Sequence, residues 1–182
     1  VVSPLKALQR LAERHREAFD IPVVGITGSN GKTVVKEWLY QLLSPEKNVT
    51  RSPRSYNSQI GVPLSVWNLD ERSEVGLFEA GISEPGETEA LQSVIQPTIG
   101  VFTCLGDAHQ ENFTSYEQKC LEKLKLFKDA KVLVYDMDDA RVVGCVNRSA
   151  FKGEYFAWSR QRRDVPLYIA SVEKRGAETG VA

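Results

Sequence analysis

The chain has 182 residues, a formal net charge of -1, 42% hydrophobic and 26% charged residues, the profile of a single globular domain able to bury about 70% of its unfolded surface. That charge balance, with pI ≈ 6.2, argues against nucleic acid or an anionic membrane as partner; the three separated cysteines, Cys104, Cys120 and Cys145, argue against a disulfide framework or a thiolate zinc site. No apolar run approaches the ~20 residues that span a bilayer, and Val1-Val2-Ser3-Pro4 is neither a signal peptide nor a start with an initiator Met, so a cytoplasmic, excised fragment is expected.

Ser3 before Pro4 reads as a helix N-cap with proline in the first turn, and Leu5, Leu8, Leu11, Ala12 and His15 follow at helical spacing to about residue 19. His15 reads as a surface or half-buried helix residue without chemistry. Residues 21–26, short, apolar and β-branched, read as a buried strand. Gly28-Ser29-Asn30-Gly31-Lys32-Thr33 follows, and then Val35, Trp38, Leu39 and Leu42 recur as a helix would place them. Strand, glycine loop and helix form the setting in which Gly-Lys-Thr binds phosphate. The glycines let backbone N–H groups turn toward an anion, the helix N-terminus adds a favourable dipole, Lys32 supplies a charge, and the Thr33 hydroxyl can ligate Mg²⁺. The spacing departs from the generic G-x-x-x-x-G-K-[ST], which needs glycine where the chain has Ile26; Gly25 lies one residue early. The loop is expected to hold a nucleoside triphosphate.

Residues 48–51 read as a second strand, and Ser52-Pro53-Arg54-Ser55-Tyr56-Asn57 as a polar loop, solvated or else turned toward an anionic substrate. A helix opening near Pro63 is expected over 60–69, then a buried strand over 75–80 that ends in Glu79. Ligands of open α/β sheets bind beyond the carboxyl ends of strands, so Glu79 stands where a metal ligand is useful, although a cap or ion-pair role fits equally. Residues 84–95 read as a helix and 97–104 as another strand, and His109 lies just beyond it on the ligand side. Alternating strands and helices argue for an α/β fold: a doubly wound, mostly parallel sheet carrying the phosphate loop.

Thr114-Ser115-Tyr116-Glu117 reads as a capping box that opens a helix to about residue 128. At about 100° per residue, Tyr116, Cys120, Leu124 and Phe127 form an apolar stripe with Lys123 inside it and Lys119 on its flank. A lysine in a packing face snorkels, lowers its pKa or finds a fixed partner. Snorkelling is the simplest outcome; a neutral amine would be the form that reacts with CO₂ to give a carbamate. A strand over 131–136 and a helix over 138–146 follow. Residues 154–159 and 166–172 read as a small antiparallel appendage joined by an exposed loop of arginines.

The segment Thr27-Gly28-Ser29-Asn30-Gly31-Lys32-Thr33 resembles the phosphate loop of the ATP-dependent Mur ligases of peptidoglycan synthesis, which share the departure from generic spacing. The resemblance continues through Asn57 with Ile60-Gly61-Val62-Pro63-Leu64, Phe78-Glu79-Ala80-Gly81 with Pro85-Gly86-Glu87, His109, and Lys123-Leu124-Lys125-Leu126-Phe127, which looks like the segment holding that family's carbamylated lysine. It covers about residues 5–175 and implies that 1–182 is the central ATP-binding domain, with the UDP-sugar and amine-adding domains absent. It implies ATP and Mg²⁺ as cofactors, with Gly28, Ser29, Asn30, Gly31, Lys32 and Thr33 on the phosphates. Thr33 and Glu79 would hold one Mg²⁺, and His109 with carbamylated Lys123 a second. Lys32, His109 and Lys123 would be catalytic, and Asn57 would meet substrate.

Val35-Lys36-Glu37 and Ile60-Gly61-Val62-Pro63-Leu64 look most like the branch that activates UDP-N-acetylmuramoyl-tripeptide as an acyl phosphate and joins it to D-alanyl-D-alanine. Gln110-Glu111-Asn112-Phe113 resembles members fused to an alanine racemase. Thr103-Cys104 stands near where the family usually has asparagine. The alternatives are a ligase adding one amino acid to a muramoyl peptide, a folylpolyglutamate-type ligase, or a generic P-loop phosphotransferase, which gives His109 and Lys123 no role. The isolated domain is expected to bind nucleotide without turnover.

Overall fold

The computed structural model describes residues 3–176 and 178–182, so the reading of Val1-Val2 lies outside the described residues. Its first half runs α1 (Pro4–Arg16), β1 (Val23–Thr27), α2 (Lys32–Leu43), β2 (Val49–Arg51), α3 (Gly61–Val66), β3 (Val75–Glu79) and α4 (Thr88–Ile95). It continues β4 (Ile99–Phe102), α5 (Tyr116–Leu124), β5 (Val132–Asp136), α6 (Ala140–Arg148), β6 (Glu154–Ser159), β7 (Leu167–Tyr168), β8 (Val172–Arg175) and β9 (Glu178–Val181). Seven strands form one sheet in the order β2-β3-β1-β4-β5-β6-β7, every neighbouring pair parallel. The chain leaves β1 toward β3 on one side and β4 on the other, which makes the carboxyl end of β1 the switch-point crevice of an open α/β sheet. All of β1 is buried; a strand covered on both faces has no reason to alternate polar and apolar residues.

The two faces are covered unequally. Val35, Leu39, Tyr40 and Leu43 of α2 pack over Val24, Ile26 and Leu77 on one face, while residues of α1, α3, α4, α5 and α6 build the larger core around Phe78, Phe102 and Phe127 on the other. Phe127, in the short 3-10 turn Lys125–Phe127 that continues α5, lies flat on the central strands. A Cβ at Gly100 would stand 2.6 Å from Phe127 Cδ1, and one at Gly25 would stand 2.8 Å from Pro97 Cβ. Glycine in the middle of these strands is therefore a packing requirement. Buried Arg16 ties α1 to the end of α4 through bonds from Nε to Ile95 O (3.0 Å) and from a terminal nitrogen to Gln96 O (3.3 Å). Half-buried His15 packs on Phe19 and Trp67 and sits 2.9 Å from Leu69 O, a structural role as read.

Several expectations need correction. The inward stripe of α2 is not Val35-Trp38-Leu39-Leu42: Trp38 is 63% and Leu42 76% exposed, whereas Lys36 is fully buried. Val35 and Leu39 do pack inward, with Lys36, Tyr40 and Leu43, and Val34, Trp38 and Leu42 face outward. Pro63 is the third residue of α3, not its opening, and α4 starts only at Thr88 because Pro85-Gly86 turns, with Gly86 at φ 87°. The cap of α5 sits one residue later than expected: Ser115 Oγ accepts from Gln118 N at 3.0 Å, and Gln118 Oε1 accepts from Thr114 N at 2.7 Å.

The tail differs most. Residues 154–159 and 167–168 are not antiparallel; β6 runs parallel to β5 and β7 parallel to β6, extending the main sheet, so the arginine-rich 160–164 segment is a crossover and not a hairpin loop. The short edge strand β7 pairs only with the end of β6, so the start of β6 is thinly covered, Tyr155 and Phe156 being 44% and 41% exposed, and it carries the mixed pattern of an antiparallel strand. The small antiparallel pair exists further on, as β8 with β9.

Candidate functional site

The loop after β1 can approach the neighbouring strand closely because Gly28 lacks a side chain. Its φ is 144°, and a Cβ there would fall 2.0 Å from Thr103 Oγ1. Gly31, at φ 81°, is the N-cap of α2 and supplies no side-chain cap, so the first N–H groups of that helix remain open for an anion. The stretch beyond β4 braces the loop: Ser29 N donates to Cys104 O (2.9 Å), Ser29 Oγ to Gly106 O (3.1 Å) and Thr103 Oγ1 to Asn30 O (2.6 Å). Thr103-Cys104 thus supports the loop through a hydroxyl and a backbone carbonyl. Lys32 Nζ donates to Gly28 O at 3.0 Å. Burial lowers its pKa, against the opposing pull of Glu79 and Cys104.

Glu79 ends β3 and is fully buried. Register places it beside Ile26, one residue short of the end of β1. Its Oε2 accepts from Thr33 Oγ1 at 2.9 Å, while Oε1 is buried without a hydrogen-bond partner and lies 3.6 Å from Lys36 Nζ. A hydroxyl and a carboxylate with a free oxygen are hard donors of the kind Mg²⁺ takes. Among the described residues no three His, Cys, Asp or Glu side chains cluster for a metal, so such an ion would complete its shell from phosphate and water. Asn57 is drawn to the same strand end: its carbonyl accepts from Gly81 N at 2.7 Å, and its Oδ1 would lie 2.7 Å from a Cβ at Gly81.

On α5, Lys123 does not snorkel. It is 2% exposed, and its Nζ donates to Ile82 O at 2.7 Å. Burial first, then the charges of Lys32 and Lys119, push its pKa down from 10.5 to about 8. His109 is exposed, left-handed at φ 58°, and heads the 3-10 turn Gln110–Asn112. No hydrogen bond joins His109 to Lys123 among the described residues; the structure brings Thr33, Glu79 and Asn57 to one strand end but does not bond this second pair. A separate cavity of about 270 Å³, lined partly by Leu121, Leu124 and Phe151, contains none of these residues.

Three buried charged residues, Arg16, Lys36 and Glu122, escaped the sequence reading, and Lys119, read as flanking the stripe of α5, is fully buried too. Lys36 touches Glu79, as above. Lys119 Nζ donates to Gly106 O (2.5 Å) and Ala108 O (3.3 Å), holding the segment that leads to His109. Glu122 Oε1 accepts from Gly86 N (2.9 Å) and Thr88 Oγ1 (2.8 Å), capping α4 from a neighbouring helix. The signal for Lys36 was the one used for Lys123, a lysine inside an apolar helical stripe, but it requires the right stripe.

The fold and loop define a P-loop nucleotide-binding domain built on a parallel sheet. The chain belongs to the Mur ligase family, matching the Mur ligase middle domain over residues 26–174. The UDP-N-acetylmuramoyl-tripeptide--D-alanyl-D-alanine ligase of Bacillus subtilis (strain 168) is 33% identical over 138 residues, 74% of this chain and 30% of that protein. The ligase of the same name from Borreliella burgdorferi is 35% identical over 137 residues, again 74% of this chain and 30% of the relative. The chain therefore spans less than a third of the length of these relatives. Among solved structures, the MurF ligase from Thermotoga maritima in complex with ADP superposes with TM-score 0.87 at 28% identity, covering 100% of this chain and 42% of that one. MurF from Acinetobacter baumannii has TM-score 0.90 at 21% identity, with 100% and 40% covered, and speaks for the fold alone. No helix among the described residues is long and apolar enough to cross a membrane.

Proposed function

We propose that the chain is the central ATP-binding domain of a ligase that joins UDP-N-acetylmuramoyl-tripeptide to D-alanyl-D-alanine, with the UDP-sugar and incoming dipeptide recruited by other domains of the full-length protein. The observation that carries this reading is the free oxygen of buried Glu79 beside the Thr33 hydroxyl, at the mouth of a glycine loop with an uncapped helix N-terminus. The names of the relatives supply the substrates, and the ADP of the Thermotoga structure supplies the nucleotide.

In the reaction, the tripeptide carboxylate attacks the γ-phosphorus of ATP, giving an acyl phosphate and ADP. The dipeptide amine then attacks the acyl carbon, and phosphate and the amine proton leave as the amide forms. Lys32 and the N–H groups of Gly28 to Thr33 hold the phosphates and stabilise the charge that builds on the transferring group. Thr33 and Glu79 would hold Mg²⁺, which when bound neutralises phosphate charge and orients the phosphoryl group. Asn57, at the same strand end, faces the acyl substrate. His109 and Lys123 are the candidate ligands of a second Mg²⁺. In support, the lowered pKa of Lys123 leaves a share of neutral amine near pH 8, and amine plus CO₂ gives a carbamate and a proton. That role requires Lys123 to release Ile82 O.

Calorimetric titration of the chain with ATP, with and without Mg²⁺, tests the proposal beside Lys32→Ala. Binding that strengthens with Mg²⁺ and weakens at least roughly tenfold in the variant supports it; equal binding by both proteins overturns it.

A further inference from the structure

Lys36 is a fully buried cation beside the site, and nothing in the mechanism above uses it. Its Nζ donates to Ser52 O at 2.7 Å and to Arg54 O, and faces Glu79 Oε1 at 3.6 Å and Glu37 Oε1 at 3.2 Å. One ammonium therefore touches both the carboxylate at the end of β3 and the backbone of the loop 52–57. That loop is otherwise held by Ser52 N on Leu77 O (3.0 Å), by Ser65 Oγ on Tyr56 O (3.4 Å) and by a few contacts of its own. Tyr56 N reaches Pro53 O at 3.1 Å, Asn57 O takes Gly81 N, and Arg54 is held at φ 49°, a conformation a non-glycine residue keeps only when its surroundings impose it. Ser52 Oγ also accepts from Glu79 N at 3.4 Å, so carboxylate and loop are stitched twice, with Lys36 the only charged stitch described.

We infer that Lys36 is a positioning residue that couples Glu79 to the loop 52–57, so that loading of metal and nucleotide at Thr33 and Glu79 orders the loop carrying Arg54, Tyr56 and Asn57. The inference rests on the proposed nucleotide site. It assigns to the Val35-Lys36-Glu37 segment a task in which the phosphate helix reports its occupancy to the substrate side. The direction of coupling follows from the geometry: a ligand that fixes the Glu79 carboxylate also fixes the partner of the ammonium, and with it two carbonyls of the loop.

The test is hydrogen exchange by mass spectrometry on this chain and on Lys36→Met, each free and with Mg·ADP, with melting curves to establish that both are folded. The parent is expected to gain protection in peptides over 28–33 and over 52–57 when Mg·ADP is added. In Lys36→Met the 52–57 peptides exchange roughly tenfold faster in the free protein, and Mg·ADP protects 28–33 but no longer 52–57. Loss of protection throughout Lys36→Met marks misfolding; Lys36→Gln, which keeps a donor for the carbonyls without the charge, then decides by the same comparison. Protection of 52–57 by Mg·ADP in a folded variant as in the parent overturns the inference. Absence of protection over 28–33 in the parent refutes the nucleotide site instead, and free-state exchange over 52–57 still decides whether Lys36 holds the loop.

Discussion

Lys123 gives the sharpest solution prediction, because its stability cost can be worked from its burial. In the folded chain its ammonium releases its proton near 8 instead of its ordinary 10.5, since burial beside Lys32 and Lys119 disfavours the charge. Below pH 8 both folded and unfolded chains carry that proton, and the folded state bears the full penalty. Between about 8 and 10.5 the unfolded chain binds more protons than the folded one, so raising the pH stabilises the fold. The gain over that window is about 3 kcal/mol, from ~1.4 kcal/mol per pKa unit. The perturbation is Lys123→Met, which keeps the length of the side chain and removes the charge, leaving Ile82 O without its donor at a cost of about 1–3 kcal/mol. Urea unfolding of both proteins in CO₂-free buffer should give a stability difference, parent minus variant, that rises by about 3 kcal/mol from pH 7.5 to 10.5. Titrating groups without coupling to Lys123 cancel in that difference; Lys32 and Lys119, relieved of its charge in the variant, do not. A flat difference across the range would refute the buried, depressed amine and with it the physical support for a carbamate.

Glu79→Gln should leave nucleotide binding in EDTA within about twofold of the parent while abolishing the Mg²⁺-dependent gain, as read by calorimetry, because only the hard carboxylate donor is lost. Gly100→Ala, with its Cβ aimed 2.6 Å from Phe127 Cδ1, should destabilise by about 1–3 kcal/mol in urea, and pairing it with Phe127→Leu should recover part of the loss. Glu122→Gln removes the ionised acceptor from Gly86, Thr88 and Lys125 and should cost about 1.5–3 kcal/mol. Burial pushes the Glu122 carboxyl up, but the bonds from Lys125, Thr88 and Gly86 outweigh it and hold the pKa low, so the effect should fade as the pH falls below the ordinary carboxylate range.

The parallel sheet and the phosphate loop were legible because both rest on local signals: apolar runs for buried strands, and glycines where the backbone must approach an anion. Glu79 was legible as a position, since strand ends are where such sheets bind ligands, but its free oxygen depends on Thr33 and Lys36 across 46 residues of chain and could not be seen. The misreading of α2 has a physical origin. Trp38 and Leu42 are as apolar as Val35, Leu39 and Leu43, which do pack on the sheet, and periodicity does not say where a stripe's edge meets it. Lys36 was lost with that choice. The tail was misassigned because edge strands carry mixed patterns whichever way they pair. Lys123 stood out, yet its burial depended on how α5 packs on the sheet, which no window of sequence contains.

Four residues beyond Lys123, the ring of Phe127 seats on Gly100 of β4, and its Cε1 lies 3.7 Å from where a Cβ would stand at Gly25, two residues before the end of the strand that feeds the phosphate loop. Bare backbone at Gly100 lets the turn that follows Lys123 lie one aromatic ring from the strand beside the phosphate loop. Across related sequences the residues at 100 and 127 should therefore drift as a volume-matched pair, a wider strand residue tolerated only with a slimmer partner at 127, while the residue at 25 should follow the one at 97. A designer wishing to widen or narrow the crevice would alter that joint before touching any residue that meets the nucleotide.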